Sequence, residues 1–196
     1  MADMTPGQQD DAPPLTAKHK EERAAATAGL PEATGSDVTG KTVTINRPRQ
    51  EIYDFWRDFS NLPQVMDNVV SIEKLDGRRS RWTVKAPGGG TVGWTSLVTD
   101  DRPGELIAWT SEEDADVPNS GRIEFRDAPG HRGTWVTATI LYDPPAGIIG
   151  KVIAKMFQRE PHIQARRDLR RLKQLMETGE IATAARTKAQ YEEEQN

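Results

Sequence analysis

With 196 residues, no cysteine and a formal charge of −4, the chain has neither a disulfide framework nor a thiolate metal site. The charge is uneven: residues 1–40 hold seven acids against three bases and 179–196 four against two, which leaves 21 bases and 19 acids for 41–178. A section this close to neutral offers neither a nucleic-acid surface nor a polyanion mimic. No run approaches the ~18 apolar residues of a membrane span and no apolar signal-peptide core opens the chain, so a soluble, cytoplasmic protein without stable membrane insertion is expected.

Residues 1–40 are rich in Ala, Pro, Gly, Thr, Asp and Gln and nearly lack aliphatic side chains. Such a segment cannot bury enough surface to offset its ordering entropy, so it reads as a disordered tail whose last part, 31–40, is a linker. The domain is expected at 41–180, followed by a flexible tail at 181–196. KTVTIN at 41–46 alternates with Val43 and Ile45 on one face, a short strand. Pro48 suits a helix start, and Ile52, Phe55, Trp56 and Phe59 fall on one helical face over 48–58. Leu62 and Pro63 begin a second short helix reaching 67.

Six strands follow. Residues 69–75 end at an Asp76-Gly77 turn, and RWTVKA at 81–86 puts Trp82 and Val84 on one side. Beyond the PGGG turn at 87–90, Val92, Trp94, Ser96 and Val98 share a face until 100–104 end the strand. Ile107, Trp109 and Ser111 alternate in the next strand, and the acidic loop after them reads as solvated. Gly121, Ile123 and Phe125 alternate with charged neighbours, and Val136, Ala138, Ile140 and Tyr142 alternate in the last strand. After a Pro-Pro turn, Ile149, Val152, Ile153, Met156 and Phe157 form one helical stripe. It resumes past Pro161 at Ala165, Leu169, Leu172, Leu175 and Met176, with Gly179 as the stop.

This order, strand, two short helices, six strands and a long helix, resembles the START-like or SRPBCC (helix-grip) superfamily. It is most similar to the bacterial polyketide cyclase/dehydrase-type members, which include the coenzyme Q-binding START proteins. The segments that carry the resemblance are 45–63, 81–111, 133–147 and 169–180. The fold implied is α+β: a curved antiparallel seven-stranded sheet wrapped around a long C-terminal helix, with two short helices after the first strand. The resemblance also implies a cavity between sheet and helix for a hydrophobic or amphipathic small molecule such as a lipid, quinone or polyketide-like ring. Its expected lining is Trp82, Val84, Trp94, Ser96, Ile107, Trp109, Ser111, Ile123, Phe125, Val136, Ile140 and Tyr142 from the sheet. Ile149, Val152, Ile153 and Met156 complete it from the helix, whose first half, 148–157, is expected to act as lid and wall. Each tryptophan also has a plain reading as core filler.

No catalytic constellation is legible. His19, His131 and His162 have no triad or zinc spacing around them, so no metal and no cofactor are expected. The PGGG turn lies between strands and has no helix N-terminus to make it a phosphate loop. Tyr53, Ser96, Ser111 and Tyr142 are the only candidates for acid/base work in a cyclase or dehydrase, the alternative to ligand carriage. A third reading is an interaction module, using the acidic tails or the basic helix face around 166–173. That face is otherwise a solvated surface pairing with Asp168 and Glu177. A transient membrane contact by 147–157 stays open on sequence grounds.

Overall fold

The computed structural model describes residues 37–86, 89–142 and 161–182. The elements run β1 (Asp37–Ile45), α1 (Arg49–Arg57), a 3₁₀ segment (Phe59–Gln64), β2 (Val69–Lys74), β3 (Arg79–Lys85), β4 (Thr91–Arg102), β5 (Leu106–Ser111), β6 (Asn119–Asp127), β7 (Thr134–Tyr142) and α2 (Pro161–Thr178). All seven strands form one antiparallel sheet in the order β1-β7-β6-β5-β4-β3-β2. The helix-grip architecture expected from the sequence is the one observed.

A flat seven-stranded sheet would be roughly 29 Å across at about 4.8 Å per strand gap, far wider than a helix of about 10 Å. Yet α2 touches both ends of this sheet. On one side Lys173 Nζ donates to Thr44 O of β1 at 2.6 Å. On the other, Arg171 pairs with Asp67 at 2.8 Å and donates to Gln64 O at 3.1 Å, just ahead of β2. One helix can reach both edges only if the sheet curls around it.

Leu169, Leu172 and Met176 of α2 enter a core with Val43, Ile45, Val98, Ile107, Ile123, Phe125, Val136 and Ala138 of the sheet and Ile52, Tyr53 and Trp56 of α1. The chain enters β7 from the β6–β7 turn at Gly133, against the end of β1: its φ is +90° and an added Cβ would lie 2.1 Å from Ile45 O. Gly179, at φ +80°, closes α2 as expected, its N–H reaching Leu175 O at 2.9 Å.

Several boundaries differ from the sequence reading. β1 starts at Asp37, inside the expected linker, because its backbone pairs with β7 as far as Tyr142. The second short helix is the 3₁₀ segment, starting at Phe59 rather than Leu62; Asp58 sets that start by accepting from Ser60 N at 3.3 Å. β4 does not end at Asp100. A bulge at Thr99 lets it continue to Arg102, pairing Asp100 with Ala108 and Asp101 with Ile107.

That bulge reverses the strand's parity and turns Asp101 toward α1. Tyr53 donates its hydroxyl to Asp101 Oδ1, and Arg57 Nε reaches Asp101 Oδ2 at 2.7 Å. Arg57 is therefore a structural partner rather than a bare surface charge. Burial first, and the Asp101 carboxylate second, push the Tyr53 phenol up to about 12. Replacing Tyr53 with Phe should cost about 1–2 kcal/mol in a urea unfolding titration, since Arg57 still satisfies Asp101. A loss below about 0.5 kcal/mol would show that this bond does not tie α1 to β4.

Candidate ligand cavity on the inner face of the sheet

Strand parity and register divide the inner face into two levels. The lower one is dry: Val43 lies opposite Val136, Val136 opposite Phe125, and Ile107 opposite Ile123, all buried. Moving along the strands, β7 presents Ile140, β5 presents Trp109 and Ser111, and β6 presents Asn119, all only half-buried. At the β3–β4 side, Trp82 and Trp94 face each other in register and are also half-buried. The apolar face continues past the point where the described side chains fill it.

The aromatic groups of this upper level are held in place. Trp82 and Trp94 stack with ring centroids 6.1 Å apart and planes 10° from parallel. Phe59 of the 3₁₀ segment closes on Trp82 at 6.1 Å, and Trp82 Nε1 donates to Ser80 Oγ at 2.9 Å. Trp109 lies across Gly121 on the neighbouring strand. A Cβ there would sit 2.5 Å from the indole and 2.6 Å from Thr139 O, so only glycine lets the ring lie flat. Trp109 Nε1 donates to Asn119 Oδ1 at 3.3 Å, while Asn119 N donates to Ser111 Oγ at 3.0 Å. The indole N–H groups of Trp82 and Trp109 have partners, and all three rings stay only half-buried, an arrangement suited to contact with an apolar molecule.

The expected lining therefore sorts by position. Trp82, Trp94, Trp109, Ser111 and Ile140 occupy the half-buried level. Val84, Ile107, Ile123, Phe125 and Val136 are packed, as is Ser96. Tyr142 pairs with Asn119 in the backbone register, but its side chain lies outside the described residues. So do Ile149, Val152, Ile153, Met156 and the whole expected lid at 148–157. Of the acid/base candidates, Tyr53 is in the core with its hydroxyl engaged, and Ser111 Oγ accepts the Asn119 amide. His131 is exposed in the β6–β7 turn. Among the described residues, no group of three or more His, Cys, Asp or Glu could hold a metal ion, and no helix is long and apolar enough to cross a membrane.

The sequence reading missed the burial of two ionisable groups, Lys41 and Asp168. Lys41 is 5 % exposed and shares the inner face with Val43 and Ile45. Burial, with the positive Arg166 adding to it, holds its amine below the usual lysine range. The signal was available, because Lys41 has the same parity as the two apolar residues that defined the face. Asp168 of α2 has its carboxyl pushed up to about 7, by burial first and the neighbouring Asp67 second. Gln164 Nε2 bridges from Asp168 Oδ1 at 3.5 Å to Asn68 Oδ1 at 3.1 Å. Of the basic run 166–173 expected to pair with Asp168 and Glu177, Lys173 reaches Glu177 at 3.6 Å, whereas Arg171 pairs with Asp67. A separate groove of about 500 Å³, lined by Asn46, Arg47, Asp127, His131 and Thr134, lies at the opposite end of β1 and β7.

Comparison with known proteins agrees with this architecture. A protein of Deinococcus radiodurans with a solved structure is 42% identical, with 73% of this chain and 99% of that one covered and a TM-score of 0.60. A Thermus thermophilus structure is 23% identical over 70% of this chain and 93% of its own, with a TM-score of 0.56. The Zhui aromatase/cyclase of Streptomyces sp. R1128 is 16% identical over 74% of this chain and 98% of its own, at a TM-score of 0.58, a likeness of fold. A search of proteins with curated descriptions returned no match. The sequence profile described as "Polyketide cyclase / dehydrase and lipid transport" matches residues 45–170. The chain belongs to this polyketide cyclase/dehydrase and lipid transport family, within the START-like superfamily.

Proposed function

We propose that the protein binds a hydrophobic or amphipathic small molecule between the upper inner face of the sheet and the C-terminal helical region. The observation that carries this reading is the set of half-buried tryptophans. Trp82, Trp94 and Trp109 stay half-buried directly beyond a dry core, and Trp82 and Trp109 have their indole N–H groups bonded. A core built only for stability would close over such rings, since each buries 150–250 Å² when covered. Membership of a family whose description includes lipid transport supports the same reading. A chain without cysteine suits a reducing cytoplasm, where we place this activity.

The test is a titration with N-phenyl-1-naphthylamine, a neutral fluorescent apolar probe, read through quenching of tryptophan emission. Saturable binding is expected, weakened about three- to tenfold by Trp94→Ala, the loss of one aromatic contact. No saturable quenching by this probe would sink the reading. The alternative is a cyclase or dehydrase, which would need an acid or base within reach of the bound molecule. Mass spectrometry of small molecules that copurify separates the two. An unmodified apolar ligand supports carriage, and a cyclised or dehydrated product supports catalysis.

A further inference from the structure

Lys41 is the only charged residue in the buried set among the described residues, at 5 % exposed. Its position follows from register. It lies opposite Ala138, which faces Ile123, and that rung is bounded below by Val43, Val136 and Phe125. The next rung up β7 and β6 is Ile140 and Gly121, the latter beneath Trp109. Lys41 thus stands at the boundary between the dry core and the half-buried tryptophan level.

Among the described residues no ion pair or hydrogen bond to the Lys41 ammonium is seen, while the positive Arg166 of α2 acts on it. The fold handles Lys173 differently, giving it both Thr44 O at 2.6 Å and Glu177 at 3.6 Å. An ammonium on an apolar wall beside another cation destabilises the folded chain unless an anion joins it.

We propose that Lys41 receives the anionic oxygen group of an amphipathic ligand, a carboxylate or enolate, whose apolar body rests against Trp109 and the Trp82–Trp94 pair. This rests on the cavity reading above and narrows it from apolar molecules in general to apolar acids. A single fixed cation at the floor of an apolar site orients such a ligand head-down, with its ring or chain toward the tryptophans.

Two matched probes separate the charge from the cavity. 1-Anilinonaphthalene-8-sulfonate and N-phenyl-1-naphthylamine share one ring system and differ by the sulfonate, which here stands in for the acid group. Lys41→Met should weaken the sulfonate probe about tenfold and leave the neutral probe within about twofold. Lys41→Arg should hold the sulfonate probe within about threefold of the parent. Lys41→Met should also melt about 3 °C higher, because a buried cation beside the positive Arg166 has been removed. Equal weakening of both probes, or an unchanged sulfonate affinity, would overturn the inference while leaving the cavity in place. A lower melting temperature for Lys41→Met would overturn it as well, by showing the ammonium already balanced. Failure of the parent protein to bind either probe removes the cavity reading, and this inference with it.

Discussion

Replacing Asp168 with Asn is expected to raise the melting temperature at pH 8 by about 5 °C and to leave it unchanged near pH 4. The carboxyl sits on α2 facing the segment before β2, where burial and the Asp67 carboxylate both favour its neutral form. Gln164, Arg171 and Arg167 act the other way but do not prevail. Its folded value of about 7 stands above the ordinary 3.8. Below pH ~4 the group is protonated in both states and costs nothing. Between about 4 and 7 the unfolded chain ionises while the folded one keeps its proton, so stability falls as pH rises. Above about 7 the full penalty is present. Three units at about 1.4 kcal/mol each set an upper bound near 4 kcal/mol, and the residue's partial exposure to water lowers the expected gain to about 2 kcal/mol. Parallel pH-dependences of the melting temperature in the parent and Asp168→Asn would refute this account.

The second large effect concerns the attachment of α2. Leu172 is fully buried, at 0 % exposed, between Leu169 and Met176 in the core shared with the sheet. Leu172→Ala should cost about 3–5 kcal/mol, a substantial part of the 5–15 kcal/mol typical of a domain. The polar contacts that pin α2 to both sheet edges should matter less. Arg171 and Asp67 form a partly exposed pair 2.8 Å apart, and Arg171→Met should cost no more than about 1 kcal/mol. Urea titrations of the two variants compare them directly. If Arg171→Met proves the more damaging, the helix is held by its edge bonds and not by its apolar stripe.

Much of this architecture was legible locally. Alternation over 121–125 and 136–140 identified β6 and β7 and their inner faces, because side-chain direction in a strand is fixed by the backbone with a period of two. The same parity placed Trp82 and Trp94 inward, and their stacking followed once the strands paired. Leu169, Leu172 and Met176 were readable because helical spacing is equally local. Asp101 was not. One extra residue at Thr99 inverts the parity of everything after it, and a bulge is a compromise between two strands that neither announces alone. The 3₁₀ segment was misplaced for a similar reason, since its start depends on the Asp58 side chain capping Ser60.

The candidate site divides along the same line. Sequence pattern was enough to name Trp82, Trp94 and Trp109 as inner-face residues, but the packed fraction of that face could not be known before the sheet curled. Curvature is set by which edges one helix must reach, here Thr44 on β1 and Gln64 and Asp67 ahead of β2, residues at least 20 positions apart. Burial of charge is likewise a property of the assembled fold. A lysine beginning a short strand looks like any solvated end residue until β7 pairs with β1 along its whole length and α2 lies across it. By itself, then, the sequence determined most of the elements and their faces, because those rest on backbone periodicity. Only the tertiary structure decided which inner-face residues stay half-open, where Asp101 turns, and that Lys41 and Asp168 are held at unusual proton affinities, because those depend on distances between segments remote in the chain.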